Sequence, residues 1–253
     1  MVTPMTDLSY GMRGPEIGNL QRFLNTTVLA PRLVVDEDFG SKTRVAVAAY
    51  QSQQAIAEKA GIFGPLTRKR ALTQGFIPFV PARNYTMVAI AKPRQIDLIV
   101  LHTMESLDKP DTAERVAAWF AGPDAPRASA HYNVDQNSIV QSVRNRDVAW
   151  HAPGSNHNGI GIEHSGHARQ TAKEWKSPNN QAMLTRSAQL VARLCREYNI
   201  PIERRTSDEL KSKMRGICGH VDVTNAFSNG KGHTDPGVGF IWDEYLALVE
   251  TYS

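Results

Sequence analysis

The chain has 253 residues, with 29 Lys and Arg against 25 Asp and Glu, eight His and two Cys. A composition 41% hydrophobic and 21% charged is ordinary for a soluble globular chain and excludes collagenous, coiled-coil and wholly disordered proteins. No apolar run approaches the roughly 18 residues of a membrane span, two cysteines are too few for a disulfide framework, and a net charge of +4 suits nucleic acid and bacterial wall polymers equally.

The first residues, Met1 to Asp7, hold no basic stretch followed by an apolar one, so no secretory signal is expected. A helix is predicted after Gly14-Pro15-Glu16: Pro15 suits a first turn, and Leu20, Phe23 and Leu24 follow at helical spacing. A second is predicted from Ser41, read as its N-cap, to about Glu58, with Val45, Ala48 and Ala49 on one face. A third, short helix starts near Pro65 and carries Leu66 and Leu72. Phe39-Gly40-Ser-Lys-Thr43-Arg44 recurs 24 residues later as Phe63-Gly64-Pro-Leu-Thr67-Arg68, a Gly turn before a helix start each time. Two copies are too few for a solenoid and describe a pseudo-repeated helical module.

The stretches Gly14-Pro-Glu-Ile-Gly-Asn-Leu20-Gln21-Arg-Phe-Leu24-Asn25 and Val35-Asp36-Glu-Asp-Phe39-Gly40-Ser-Lys-Thr43, continuing to Tyr50-Gln51, resemble the peptidoglycan-binding domain that accompanies many wall hydrolases. The resemblance covers roughly residues 7–75 and implies a three-helix module that binds cell wall. Asp36-Glu37-Asp38 stands where that family usually has Asp-Gly, a change that bears on the turn. Most of the matching residues also fit a purely structural role in a small core. Residues 1–80 carry nine Lys and Arg against six Asp and Glu, so three of the four net positive charges fall on this segment.

Pro78 and Pro81, within Phe76 to Tyr85, mark a stiff linker, and the domain boundary is placed near residue 80, giving domains 1–80 and 81–253. Beyond it, strand and helix signals mix. Ile96 to His102 is an apolar run typical of a buried strand. Ala113 to Phe120 reads as a helix with Val116, Trp119 and Phe120 apolar. His131 to Val134 and Ser138 to Val143 read as strands joined by a polar turn, and Gly159 to His164 as another. Gln181 to Tyr198 is a helix with an apolar stripe from Met183 to Tyr198, ended by Asn199-Ile-Pro201. Gly216 to His220 reads as a last strand. The fold class expected is a mixed α/β domain, a central sheet flanked by helices, preceded by a small all-α three-helix domain.

All eight histidines lie between His102 and His233. His102 and His220 follow strand-like runs, and Asp235 sits in the Gly-rich Gly232-His-Thr-Asp235-Pro-Gly237. Two His and a carboxylate leave a fourth zinc position for water, whose pKa the metal lowers toward about 7. Spacing alone is weak evidence for a metal site, and His102 also reads as a buried strand-end His and Asp235 as a turn residue before Pro. Glu163, amid Gly-Ile-Gly-Ile, is an unusual place for a surface carboxylate.

Six motifs in order, Leu98-Ile-Val-Leu-His102-Thr, Ser129-Ala-His131-Tyr-Asn-Val, Ala149-Trp150-His151-Ala, Gly159-Ile-Gly-Ile-Glu163, Gly219-His220-Val-Asp222 and Gly232-His233-Thr-Asp235-Pro-Gly, closely resemble the zinc-dependent N-acetylmuramoyl-L-alanine amidases. That family includes phage lysozyme-like enzymes and animal peptidoglycan recognition proteins, and the resemblance covers roughly residues 85–250. By matching position it implies His102, His220 and Asp235 as zinc ligands, though some relatives have Cys at the last. It implies Glu163 as the catalytic carboxylate and general base. His233 stands where several relatives have Lys, as a candidate oxyanion partner whose charge depends on pH; Lys231 is the nearby alternative. Certain relatives place a catalytic Tyr before the His matching His131; Ala130 stands there, so that role is not carried over. His131 is read as a supporting residue. Trp150 and His151 are candidates for the substrate groove, with core packing equally open for Trp150, and Asn156 and Asn158 are candidates for peptide contact. His157, His164 and His167 match no role and are read as solvent-exposed, and Cys218 as a small buried hydrophobe.

The function implied is a wall hydrolase with Zn2+ as cofactor, cutting the amide between the lactyl group of N-acetylmuramic acid and L-alanine, held on peptidoglycan by its first module. Peptidoglycan rather than nucleic acid is the partner, no membrane span is expected, and monomer is the default. With no signal, the reading is a phage endolysin made in the host cytoplasm and acting on the wall. The alternatives are a peptidoglycan-recognition protein that does not cut and a metallopeptidase acting within the stem peptide.

Overall fold

The computed structural model describes residues 6–28 and 32–253, so the reading of the first five residues as leader-free lies outside the described residues. The chain divides into two compact units, Met1–Phe79 and Val80–Ser253. No helix among the described residues is long and apolar enough to cross a membrane.

The first unit holds helices α1 (Pro15–Thr27), α2 (Ser41–Gln53) and α3 (Pro65–Thr73). Its core gathers Leu20, Phe23 and Leu24 of α1, Val47 and Tyr50 of α2, and Phe39, Phe63 and Phe76 from the connections. Phe23 meets Tyr50 and Phe76 edge-on, and Phe63 meets Phe76 the same way. The sequence repeat has a physical cause. Phe39 and Phe63 are both fully buried, and each repeat is closed by a buried glutamine from the preceding helix. Gln21 Nε2 donates to Asp38 O and Thr43 Oγ1, while its Oε1 accepts from the backbone N–H groups of Asp36 and Glu37. Gln51 Nε2 donates to Ile62 O and Thr67 Oγ1, while its Oε1 accepts from Gly61 N–H. The amides thus replace the ladder partners that the loop backbone lacks, and Thr43 and Thr67 tie each loop to the next helix.

The helical readings shift in detail. Gly40, not Ser41, is the N-cap of α2, and no side chain caps it. The helix stops at Gln53 rather than near Glu58, because Ala55 is left-handed (φ 51°) and Ile56 N–H returns to Gln51 O. That closing turn brings Ile56 onto the core. The buried face is Thr43, Ala46, Val47, Tyr50 and Gln51, while Val45 is 62% exposed. The hydrogen-bonded Gln51 lies on the interior face, so residue type alone pointed to the wrong stripe. Leu66 of α3 is 53% exposed for the same reason: Thr67 and Ala71 face inward.

The second unit contains β1 (Tyr85–Thr86), β2 (Leu98–Thr103), α4 (Thr112–Ala121), β3 (Tyr132–Val134), β4 (Ile139–Gln141), β5 (Val148–Ala149), β6 (Gly159–His164), α5 (Ala172–Trp175), α6 (Pro178–Tyr198), α7 (Ser207–Lys211), β7 (Gly216–Gly219), α8 (His220–Phe227) and α9 (Trp242–Thr251). Five strands form one sheet in the order β4-β3-β6-β2-β7, and β1 pairs with β5 apart from it. β3, β6, β2 and β7 run parallel, with β4 antiparallel at the edge. β2 is buried along its whole length, as its unbroken apolar run requires of a central parallel strand. α4 and α6 pack against β3, α8 against β2, and α9 against α6. The domain is therefore mixed α/β, a central sheet flanked by helices.

Here too details move. Trp119 on α4 is 54% exposed while Phe120 is buried. β7 ends at Gly219, and His220 opens α8 instead of closing a strand. Asp222 sets that start, its Oδ2 accepting from Gly219 N–H at 2.8 Å. α6 begins at Pro178, three residues before its predicted start, and ends at the left-handed Asn199.

Gln51→Ala is expected to lower stability by about 2–4 kcal/mol, since Gly61 N–H and Ile62 C=O would be left buried without partners at about 1–3 kcal/mol each. Urea unfolding of the variant against the parent measures it, and an unchanged midpoint would contradict the role given to the glutamine.

Candidate metal centre

Three neighbouring parallel strands end at one edge, and the chemistry-bearing side chains sit there. His102 on β2 lies directly across from Glu163 on β6 in the ladder register. On the other side of β2, Leu101 lies across from Gly219, the residue before His220. Asp235 arrives on a loop anchored to both: Val221 N–H donates to Asp235 O at 2.9 Å, and Thr103 N–H donates to Asp235 Oδ2 at 3.3 Å. Pro236 packs on Gly219, where a Cβ would stand 2.6 Å from its ring. Ligand sites at the carboxyl ends of parallel strands are the rule in such sheets.

Among the described residues, His102, His220 and Asp235 form a buried group whose ligand atoms all lie within 4.8 Å of one another. His102 Nδ1 is 3.2 Å from Asp235 Oδ2, and His220 Nδ1 is 3.3 Å from Asp235 Oδ1. Bonds of about 2.0–2.1 Å to a tetrahedral zinc put ligand atoms about 3.3 Å apart, so the donor set has the size and chemistry for that ion. Burial disfavours the imidazolium of His102 and lowers its pKa against the opposing pull of Asp235. Burial alone would raise the Asp235 carboxyl, but hydrogen bonds to His102 and His220 outweigh it and hold the group far below the carboxylate range. A neutral imidazole beside a carboxylate is the protonation state a metal takes.

Glu163 is half-buried as a residue, yet its Oε2 is sealed from solvent without a hydrogen-bond partner. Burial, then repulsion from Asp235 and Glu105, raises its pKa well above the carboxylate range. His233 sits outside the cluster, its side chain 73% exposed and its Nδ1 3.7 Å from Asp235 Oδ1. Its ring stacks on His220 at 4.4 Å between centroids. Lys231 is exposed on the same loop.

His151 is buried behind His102 rather than lining an open surface: its Nδ1 is 3.1 Å from His102 Nε2. Gly161 makes room for it, since a Cβ there would stand 2.5 Å from the His151 ring. His131 supports one layer further back. Its Nδ1 accepts from Gly161 N–H, so its Nε2–H donates to Asp147 O, and it touches no candidate ligand through a hydrogen bond. Trp150 is half-buried, its indole N–H donating to Thr86 Oγ1. Asn158 is half-buried and leads into β6, its carbonyl accepting from Asp97 and Leu98 N–H. Asn156 Oδ1 accepts from the backbone N–H groups of His151 and Ala152, so that amide shapes the loop. Tyr132 is buried beside its strand with its hydroxyl on Asn145, and Cys218 is fully buried. Of the histidines read as exposed, His157 is exposed and His167 half-buried, but His164 is 0% exposed.

Two residues escaped the sequence reading. Arg94 buries its guanidinium against the carbonyls of Asn145, Asn156, His157 and Gly159, pinning the loop that carries His151. Glu105, left-handed at φ 48°, accepts from Thr103 Oγ1–H and Ala168 N–H and faces Glu163 electrostatically. Neither belongs to a recognisable local motif, and the positive φ of Glu105 carries no mark in residue type.

A carboxyl whose pKa rises on folding stabilises the protein below its unfolded pKa and withdraws that contribution as pH climbs through the folded value. Glu163→Gln is therefore expected to raise the melting temperature of chelator-treated protein at pH 8, with the gain vanishing by pH 4. Thermal unfolding across that range tests it; a gain independent of pH would remove Glu163 as its source.

The sequence profile of N-acetylmuramoyl-L-alanine amidase matches residues 92–238. N-acetylmuramoyl-L-alanine amidase A of Achromobacter lyticus is 30% identical over 159 residues, spanning 61% of this chain and 84% of the relative. Among solved structures, the hydrolase AmiA of Staphylococcus aureus in complex with its ligand aligns over 68% of this chain and 84% of its own, at 15% identity and a TM-score of 0.48. A selenomethionine derivative of AmpD aligns over 68% of this chain and 93% of its own, at 22% identity and a TM-score of 0.47. His102, Glu163, His220 and Asp235 all lie inside the matched segment, and the chain belongs to the N-acetylmuramoyl-L-alanine amidase family.

Proposed function

We propose that the chain is a zinc-dependent peptidoglycan hydrolase that cuts the amide between the lactyl group of N-acetylmuramic acid and L-alanine. The observation that carries this reading is the buried His102, His220 and Asp235 cluster with Glu163 in register beside it. His102 and His220 through Nδ1, and Asp235 through its carboxylate, would hold the ion, and His151 would keep the His102 ring in place through Nε2. Zinc bound there would supply Lewis-acid polarisation of the scissile carbonyl and of the attacking water. Glu163, in register beside His102, takes the proton of the attacking water and returns it to the leaving amine. His233, exposed at the rim and oriented by its stack on His220, donates to the oxyanion as the carbonyl becomes tetrahedral. The half-buried Trp150 and Asn158 are the positions assigned to substrate contact.

Digestion of purified sacculi followed by mass spectrometry tests the reaction. Peptide-free glycan and peptides beginning with L-alanine are expected. Cut stem peptides would instead make the protein a peptidase, and binding without products a recognition protein. Chelation should abolish the reaction and lower the melting temperature, zinc should restore both, and Glu163→Gln should cut kcat by about 10²–10⁴-fold with zinc retained. His233→Ala should cost on the order of 10²-fold in kcat; an unchanged rate there, with a loss in Lys231→Ala, would move the oxyanion role to Lys231.

The first unit is assigned to wall binding and the whole chain to an endolysin role, in which a module held on peptidoglycan keeps the cutting domain at its substrate. Tethering raises local substrate concentration. Removal of residues 1–79 should therefore slow digestion of intact wall far more than of a soluble muropeptide. Equal losses on both substrates would count against the tether. Made inside a bacterial cell, the full chain should lyse it only once the inner membrane is breached; lysis with that membrane intact would oppose the endolysin role.

A further inference from the structure

His164 directly follows Glu163, and no step described above uses it. Its imidazole is fully buried, with Nδ1 3.0 Å from the carbonyl oxygen of His102 and Nε2 2.6 Å from Ser187 Oγ. Ser187, on α6, lies 2.6 Å from the hydroxyl of Tyr245 on α9, and both are buried. The rings of Phe240 and Tyr245 flank the imidazole at 6.5 and 6.2 Å between centroids.

The direction of this chain of bonds follows from the groups. A carbonyl only accepts, so Nδ1 carries the proton. A buried imidazole whose partners are a carbonyl and a hydroxyl is held neutral, and its second nitrogen is then an acceptor. Ser187 therefore donates to Nε2, and its oxygen accepts from Tyr245 O–H. Every hydrogen points from α9 through α6 toward β2.

The end point is the backbone of a candidate ligand. The side chain of His164 bonds the carbonyl of His102, and its own carbonyl accepts from Met104 N–H at 2.9 Å. Between those two anchors lies Thr103, opposite His164 in the ladder, whose N–H holds Asp235 Oδ2. One residue thus grips β2 on both sides of the point where Asp235 attaches. We propose that His164, fixed by Ser187 and Tyr245, is a positioning residue that clamps the end of β2 to β6 and so sets the placement of His102 and Asp235 relative to Glu163. For its effect on turnover this rests on the amidase reading; its effect on the metal site does not.

The test uses the full chain. Nitrogen-15 spectra of the wild-type histidines should show His164 protonated on Nδ1 with Nε2 bare. Ser187→Ala removes the donor to Nε2. It should weaken zinc binding and lower kcat, each by about 10-fold, with KM unchanged within about twofold. Tyr245→Phe keeps the Ser187 donor and should move the same quantities in the same direction by less, and it serves if Ser187→Ala does not fold. Melting temperatures recorded alongside separate the clamp from simple core support. A His164 protonated on Nε2, or variants that melt earlier while zinc affinity and kcat stay at wild-type values, would overturn the proposal. A wild-type protein that binds zinc but cuts no muropeptide would defeat the amidase reading, and the tautomer and zinc affinities would still decide the clamp.

Discussion

In a parallel ladder, residues that share a register also share an edge, and the site is built on that constraint. β2 lies between β6 and β7, so His102 has Glu163 across one flank and the entry to α8 near the other. His102 and Glu163 are delivered by backbone hydrogen bonds that the sheet makes in any case, and His220 enters one residue past β7, at the helix start that Asp222 sets. Asp235 is anchored from outside the ladder, by Thr103 at the end of β2 and by Val221 at the start of α8. Movement of one strand end would therefore displace the whole constellation together.

Behind that edge the packing is unusually polar. His151 supports His102, His131 lies against His151, and Arg94 reaches both His131 and the carbonyls of the loop above. Gly161 is what admits the arrangement, because any side chain there would occupy the His151 ring position. A glycine inside a central strand weakens it. Here the lost local stability is exchanged for a fixed orientation of a candidate ligand, the kind of rule-breaking expected at a functional site rather than in a core.

The legibility of the molecule in its sequence divides along a physical line. Local pattern alone left His102 and Asp235 open; it was the resemblance of six ordered motifs to the amidases that singled out His102, Glu163, His220 and Asp235, and the structure brings these four to one edge of the sheet. The sheet was readable from local pattern itself: Leu98 to Leu101 and Gly159 to Ile162 admit few other readings. What escaped depends on partners distant in sequence. His164 looks like a strand-end surface residue until Ser187, 23 positions away, and Tyr245, a further 58 beyond Ser187, are brought to it. His151 resembles a groove residue until it meets His102, 49 positions earlier. The buried stripe of α2 was misread because Gln51 is polar by type yet interior by its bonds to Gly61, Ile62 and Thr67.

The electrostatics of the edge carry the argument one step further. Asp235 is held ionised while burial keeps His102 and His151 neutral, so anionic charge is concentrated where the dielectric is low. Glu163 beside it is pushed toward its protonated form by burial and by that same charge. A divalent cation, if held by the three donors as proposed above, would offset the charge of Asp235 and draw the Glu163 pKa back down. On that reading, the readiness of Glu163 to take up a proton would depend on whether the metal is bound. Burial is the larger cause of the raised Glu163 pKa and Asp235 adds to it; on the proposed reading the same carboxylate would also be a donor to the ion.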